Sequence, residues 1–369
     1  MHEHRVATLP TLRHRAPVPA PVATRELSPA ARAALEAGIP EETQRGYAGD
    51  WRRFEQWCAE HGRQALPASG DTLTEYVTYL KRTPRPRTGR PYTPDSIDRA
   101  MASIAVAHKA AEHKPPSTTG ARLVLRGYEA ELHQAKDPAR RPRRAAAATP
   151  AVLRKMTAAT DTTTVIGLRD VAALLLGFAL AARRSELRLL DWSDLVEVEA
   201  GLEVEVWRPK VHRDQPLGVP YGSHPATCPV RAVRAYRARL AEEGHAPAGP
   251  VFVRVDRHGR IARPMFRRGR EIGDPSGRIT GRAVGDLVAR AARRAGLDKP
   301  PADVLPDLPP RWSGHSLRRG FATAAKQAGA DLLETGRHGG WVDGSAALAA
   351  YFEEAGVWDD ANPLYGIGL

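Results

Sequence analysis

Two side chains in the stretch Ser313–Ala325, "SGHSLRRGFATAA", have types and spacing that suit chemistry: His315 and Arg318. Three residues apart on a helix, they project side by side from one face. A guanidinium offers a fixed, permanently charged fork, and an imidazole moves a proton near neutral pH, a pairing that suits a phosphate. The same stretch approximates the G-x-S-x-G turn of serine hydrolases, with Arg318 where the last glycine belongs. That turn needs a β-strand ahead of its serine. The residues ahead of this one, "PDLPPRWSG", carry three prolines. The hydrolase reading therefore falls, and Ser316 and Arg319 read as helix context.

Other reactive residues lie in order along the chain. The apolar run "LLLGFALAA" leads into Arg183-Arg184-Ser185-Glu186-Leu187, a polar cluster at the end of a buried helix. Lys210 follows a strand-like segment in "WRPKVHRDQPLGVP". "GRHGGWVDGSAALAAYFEEA" brings Trp341 and then Tyr351. Lys210 competes with Arg208 and Arg213, but a guanidinium stays charged and is no practical proton donor.

The elements that must hold these residues fall into two groups. Residues 1–26 read as a flexible arm, and 27–135 as a compact bundle of four or five helices. Within it Tyr47, Trp51, Phe54 and Trp57 fall every three or four residues, one apolar helix face. Ser28-Pro29, Thr93-Pro94 and Thr149-Pro150 are helix starts with proline at the first turn. Residues 136–149, "KDPARRPRRAAAAT", form a basic linker whose Lys136, Arg140, Arg141, Arg143 and Arg144 suit a phosphate backbone. Residues 150–354 form a second domain. Helices are expected at about 150–157, 165–181, 228–243, 280–295, 315–328 and 344–354, and strands in "GLEVEVWRP", "QPLGVPY" and "GPVFVRV". Residues 355–369 are a tail. The fold class is mainly α with a small antiparallel sheet, an α+β architecture.

Composition narrows the partner. The net charge is +13, and the last 39 residues, with seven acids and one arginine, leave +19 on the first 330. So basic a body points to a polyanion such as nucleic acid. The longest apolar run, Val171 to Ala182, is too short to span a membrane. Two cysteines without CxxC spacing imply neither a disulfide framework nor a zinc site, and a cytoplasmic, nucleoid-associated protein is expected. No phosphate-binding G-x-x-x-x-G-K-[ST] loop occurs.

In these boxes the chain resembles the tyrosine recombinase, or phage integrase, family. Arg183 stands at the family's G-L-R-x-S-E-L box, His315 and Arg318 at its H-x-L-R box, Trp341 at its third His/Trp position and Tyr351 at its nucleophile. Lys210 matches the lysine of its strand–turn–strand. "TQRGYAGDWRRFEQWC" is similar to its helical core-binding domain, with the pattern T-x-x-x-Y-x-x-D-x-x-x-F-x-x-W. Two departures stand out. Leu180-Ala181-Ala182 replaces the usual Thr-Gly-Leu, and Trp341 precedes Tyr351 by ten residues where nine is usual. His338 is the alternative occupant of the third box.

The resemblance implies a site-specific DNA recombinase that cleaves and rejoins strands through a 3′-phosphotyrosine. It needs neither metal, nucleotide nor other cofactor. Its partners are double-stranded recombination sites clamped between the two domains and further copies of itself, a tetramer in the synapse, with room for accessory DNA-bending or directionality proteins. The alternatives on the same residues are a type IB topoisomerase-like strand transferase and a DNA-binding protein that has lost catalysis.

Overall fold

The computed structural model describes residues 41–86, 88–140, 144–299 and 311–355, together with Ala30 and Gly38. It divides into two compact units at Pro142/Arg143. The helix start at Ser28-Pro29 and the tail from residue 356 lie outside the described residues.

Among its described residues the first unit contains four α-helices: α1 Glu41–Glu60, α2 Gly70–Arg82, α3 Pro94–Ala110 and α4 Thr119–Gln134. Each begins or ends on sequence grounds. Ser69 caps α2 through the Thr72 N–H, and Pro94 opens α3 at a position whose N–H has no helical partner anyway. The aromatic face read in α1 turns inward, with Phe54 and Trp57 buried against Tyr76, Leu73, Ile97 and Ile104. Two polar side chains share that interior. His108 accepts from the Ala68 N–H at 2.8 Å, with its other nitrogen 2.8 Å from the Ile104 carbonyl. Asp50, 1 % exposed, is held by Arg53 and by Arg99 at 2.8 and 3.2 Å.

The second unit is built round a helix that is buried along most of its length. Helix α5 spans Pro150–Ala158 and α6 spans Val165–Ala179; Ala172, Ala173, Leu174 and Leu176 of α6 have no exposed surface. Helix α7, Arg184–Leu189, follows at once. Strands β1 Leu195–Val198, β2 Gly201–Arg208 and β3 Arg213–Pro220 form an antiparallel sheet in that order, with Leu202 opposite Val219 and Arg208 opposite Arg213. Then come α8 Pro229–Glu242, a separate hairpin of β4 Met265–Arg267 and β5 Arg270–Ile272, and helices α9 Gly281–Arg294, α10 His315–Gln327, α11 Leu332–Gly339 and α12 Ala346–Ala355.

The sheet departs from expectation at one point. "GPVFVRV" is not a strand of it: Val251, Phe252 and Val253 are all fully buried, and residues 250–255 make only isolated bridges, to Asp191, Arg278 and Ile261. Consecutive burial on both sides marks a segment threading the core, whereas a half-buried strand alternates. The third strand is instead the four-residue β1.

Candidate functional site

The site begins where α6 ends. Ala181 N–H donates to the Phe178 carbonyl and Ala182 N–H to the Gly177 carbonyl, both at 2.9 Å, the paired bonds of a Schellman turn. Ala181 sits in the left-handed region at φ 47, the conformation that normally selects glycine. The turn points the chain into Arg183, which caps α7. Its N–H and its guanidinium both donate to Glu186 of that helix.

Glu186 is the hub. It is 1 % exposed and also accepts from Arg208 Nη1 at 2.6 Å. Burial alone would push its carboxyl up, but the charges of Arg208 and Arg183 and the Arg183 N–H outweigh burial and hold it below the usual range. Arg208 is wholly enclosed. Its Nη2 reaches the carbonyls of Leu180 at 3.2 Å and His338 at 3.0 Å, and its Nε reaches Gln215 Oε1 at 3.2 Å. Burial followed by Arg183 and Arg213 lowers its pKa, against the pull of Glu186.

Helix α10 brings His315 and Arg318. Arg318 is 3 % exposed and donates from Nη1 to Ala181 O at 2.7 Å and to Gly339 O. Its Nη2 is buried with no hydrogen-bond partner among the described residues. Burial and then the charge of Arg183 push its pKa down to about 9, while the charge of Glu186 acts the other way. Ser316 is helix context, as read: its hydroxyl accepts from the Ser313 N–H at 3.1 Å. His315 presents an exposed surface at the start of α10. Crowding by protein atoms, then Arg318, Arg184, Arg183 and Arg311, hold its imidazole below the ordinary histidine range.

Helix α11 delivers the "GGW" turn. Three successive carbonyls there, of His338, Gly339 and Gly340, accept from Arg208, Arg318 and Arg183 respectively. Trp341 folds back so that its ring centre lies 3.4 Å from the Arg318 guanidinium carbon. A side chain at Gly339 would meet that ring at 1.9 Å, which explains the glycine. His338 turns elsewhere: its Nε2 lies 2.7 Å from Ala179 O, and its ring stacks on Phe321 at 4.9 Å.

Tyr351 stands half-buried on α12. The guanidinium of Arg319 lies 5.9 Å from its ring centre. Arg319, set aside above as helix context, also grips the Ala145 carbonyl and Glu354 of α12. It thereby joins α10 to the tyrosine helix, a role the sequence did not disclose.

The other singled-out residues are dispersed. Lys210 is exposed in the β2–β3 turn, two residues beyond Arg208. Of the linker cations, Lys136 is exposed after α4, Arg140 ends a short 3₁₀ turn, and Arg141 and Arg143 lie outside the described residues. Arg144 pairs with Glu354 at 3.2 Å, and Ala146 and Ala148 hydrogen-bond to Arg311 and Ser316. The far end of the linker is thus docked on the second unit. Among the described residues, no three His, Cys, Asp or Glu side chains cluster as metal ligands.

The arrangement brings three guanidiniums and one carboxylate into a largely enclosed space. Its surplus is positive, and it includes an N–H with nothing to donate to. An anion with several acceptor oxygens fits that surplus, and a phosphodiester is such a group.

Comparison with known proteins agrees in kind. The family model described as "Phage integrase family" matches residues 148–355. An "Integrase/recombinase xerD homolog" of Selenomonas ruminantium is 28% identical over 317 residues, covering 83% of this chain and 80% of that protein. Among solved structures, a lambda integrase(75-356) dimer bound to a COC' core site gives a TM-score of 0.51 at 13% identity, covering 87% of this chain and 92% of that one. The Tn1549 transposon integrase in complex with circular intermediate DNA gives 0.50 at 15% identity, covering 88% and 93%. At such identities the solved structures speak to the fold alone.

Proposed function

Because this chain belongs to the phage integrase family and is a site-specific DNA recombinase, we propose that its arginine site seats one DNA phosphodiester for attack by Tyr351. The observation that carries this is the buried Arg318 Nη2, which has no partner among the described residues and sits beside Arg183 in an excess of positive charge. In this reading the Tyr351 oxygen bonds to phosphorus as the bond to the 5′-oxygen breaks, leaving a 3′-phosphotyrosine. Arg183 and Arg318 hold the non-bridging oxygens and offset the charge that grows in the transition state.

His315 handles the proton at the tyrosine, its depressed pKa keeping a free lone pair at neutral pH. Lys210, on its exposed turn, supplies a proton to the departing 5′-oxygen. Trp341 covers the guanidinium of Arg318, and His338, tied to Ala179, leaves that place to it. A 5′-hydroxyl from a second strand then attacks the phosphotyrosine and reverses the step. Strand exchange of this kind needs more than one copy, and we read the working assembly as a tetramer on DNA. The linker cations Lys136, Arg140, Arg141 and Arg143 serve as backbone contacts, with Arg144 already committed to Glu354.

The test uses nicked duplexes cut from the genome that encodes the chain. Wild-type protein should form a covalent protein–DNA band on a denaturing gel, and Tyr351→Phe should bind the same DNA without forming it. A band that survives in Tyr351→Phe removes the nucleophile assignment. Light scattering of the trapped complex at a mass of one protomer removes the tetramer.

A further inference from the structure

The hairpin of β4 and β5 belongs to none of the family boxes and has no fully buried residue in its strands. All six of its strand residues are exposed, and Phe266 is 67 % exposed. Its turn, Arg268-Gly269, has positive φ at both positions, 52 and 75, the geometry of a tight two-residue hairpin turn. The base is fixed. Arg254 donates to the carbonyls of Asp274 at 2.7 Å and Arg263 at 3.4 Å, one on each leg, and its backbone bonds Gly277 and Ala262. The ribbon is therefore held out from the unit at a set place.

Its charge is one-sided. Between residues 263 and 272 stand Arg263, Arg267, Arg268 and Arg270 against a single acid, Glu271. Arg267 and Arg270 face each other directly across the ribbon. Like charges in that relation repel. Neither they nor Arg268 pair with a carboxylate among the described residues. A two-stranded ribbon with no core and an internal repulsion is poorly explained by its own stability. It is well explained by a polyanion that draws the arginines together.

We propose that this ribbon is a second DNA-contacting element of the protein. Arg267, Arg268 and Arg270 meet phosphates at its tip, and the exposed Phe266 makes an apolar contact with the duplex. A DNA major groove admits a two-stranded ribbon of this width. The inference rests on the recombinase reading only in taking duplex DNA as the partner.

The experiment is a salt series of fluorescence anisotropy on a random-sequence duplex of about 40 base pairs, long enough for a backbone-dominated complex. Arg267→Gln/Arg270→Gln should lower affinity about tenfold and reduce the slope of log K against log salt by about 2, one counterion for each arginine lost. Phe266→Ala should weaken binding with the slope unchanged, since an apolar contact releases no ions. Arg267→Lys/Arg270→Lys should restore the slope, which separates charge from folding.

A wild-type slope in the Gln variant overturns the proposal. So does a variant that keeps its slope and loses self-association in sedimentation, which would make the ribbon a contact between copies. A wild-type protein that binds no duplex sinks the recombinase reading itself, so the two failures are told apart.

Discussion

The two units solve the same problem, a buried carboxylate, in opposite ways. In the bundle, Asp50 is buried and its arginines are not: Arg53 and Arg99 keep about half of their side-chain surface in solvent. In the second unit Glu186 and Arg208 are both buried and Arg183 is mostly covered, while Nη2 of the buried Arg318 lacks a partner among the described residues. The first arrangement closes on itself and ties α1 to α3. The second is incomplete in the free protein. Buried charge that balances is architecture, and buried charge that does not balance marks a place for something else.

Removing each acid should separate the two cases most widely. Glu186→Gln strands Arg208 in the interior, where an uncompensated buried charge costs about 3–5 kcal/mol. Asp50→Asn leaves guanidiniums that already reach water, and the loss should be about 1–2 kcal/mol. Urea unfolding of each unit gives both numbers, and equal losses would erase the distinction drawn here. A smaller effect, of opposite sign, is expected at the turn that carries the site. Ala181→Gly relieves a left-handed alanine and should stabilise the second unit by about 1 kcal/mol, read as a higher melting temperature. A lower one would show that Ala181 is not strained.

The smallest effect is titration at His315. Its folded pKa lies below its unfolded value, so it costs the fold nothing above that unfolded value, near 6.5. As pH falls through that point the unfolded chain takes the proton more readily, and stability is lost. Stability curves of wild type and His315→Gln should overlay above about pH 7, with wild type falling below the variant toward acid. Curves parallel throughout would mean that neither the crowding protein nor the nearby arginines shift the imidazole.

Much of the site was legible because its members recur in a fixed order. Arg183, His315, Arg318, Trp341 and Tyr351 could be named from their boxes, and the helices carrying three of them, His315, Arg318 and Tyr351, could be placed from the sequence. What escaped was set by tertiary packing. Arg208 was dismissed as a proton donor, yet the alternation Leu202, Val204, Val206, Arg208 already placed it on the inward face of β2. Arg319 lies one residue beyond a named box, and its partners Ala145 and Glu354 are 174 and 35 residues away. Helix α11 is only eight residues long, with two glycines, too short and too weak in propensity to read. Residues 249–255 have strand-forming side chains but no exposed face.

The three arginine-held carbonyls of residues 338–340 also decide where this chain tolerates a change of length. A residue inserted between His338 and Trp341 would carry the indole off Arg318 and take one carbonyl partner from each of three guanidiniums. After Trp341 nothing comparable is fastened: Val342 and Gly344 are exposed, and Gly344 turns at φ 75 without meeting a neighbour. The extra residue in the Trp341–Tyr351 spacing sits on the permissive side of that boundary. A loop can lengthen there while the arginine cluster and helix α12 keep their places.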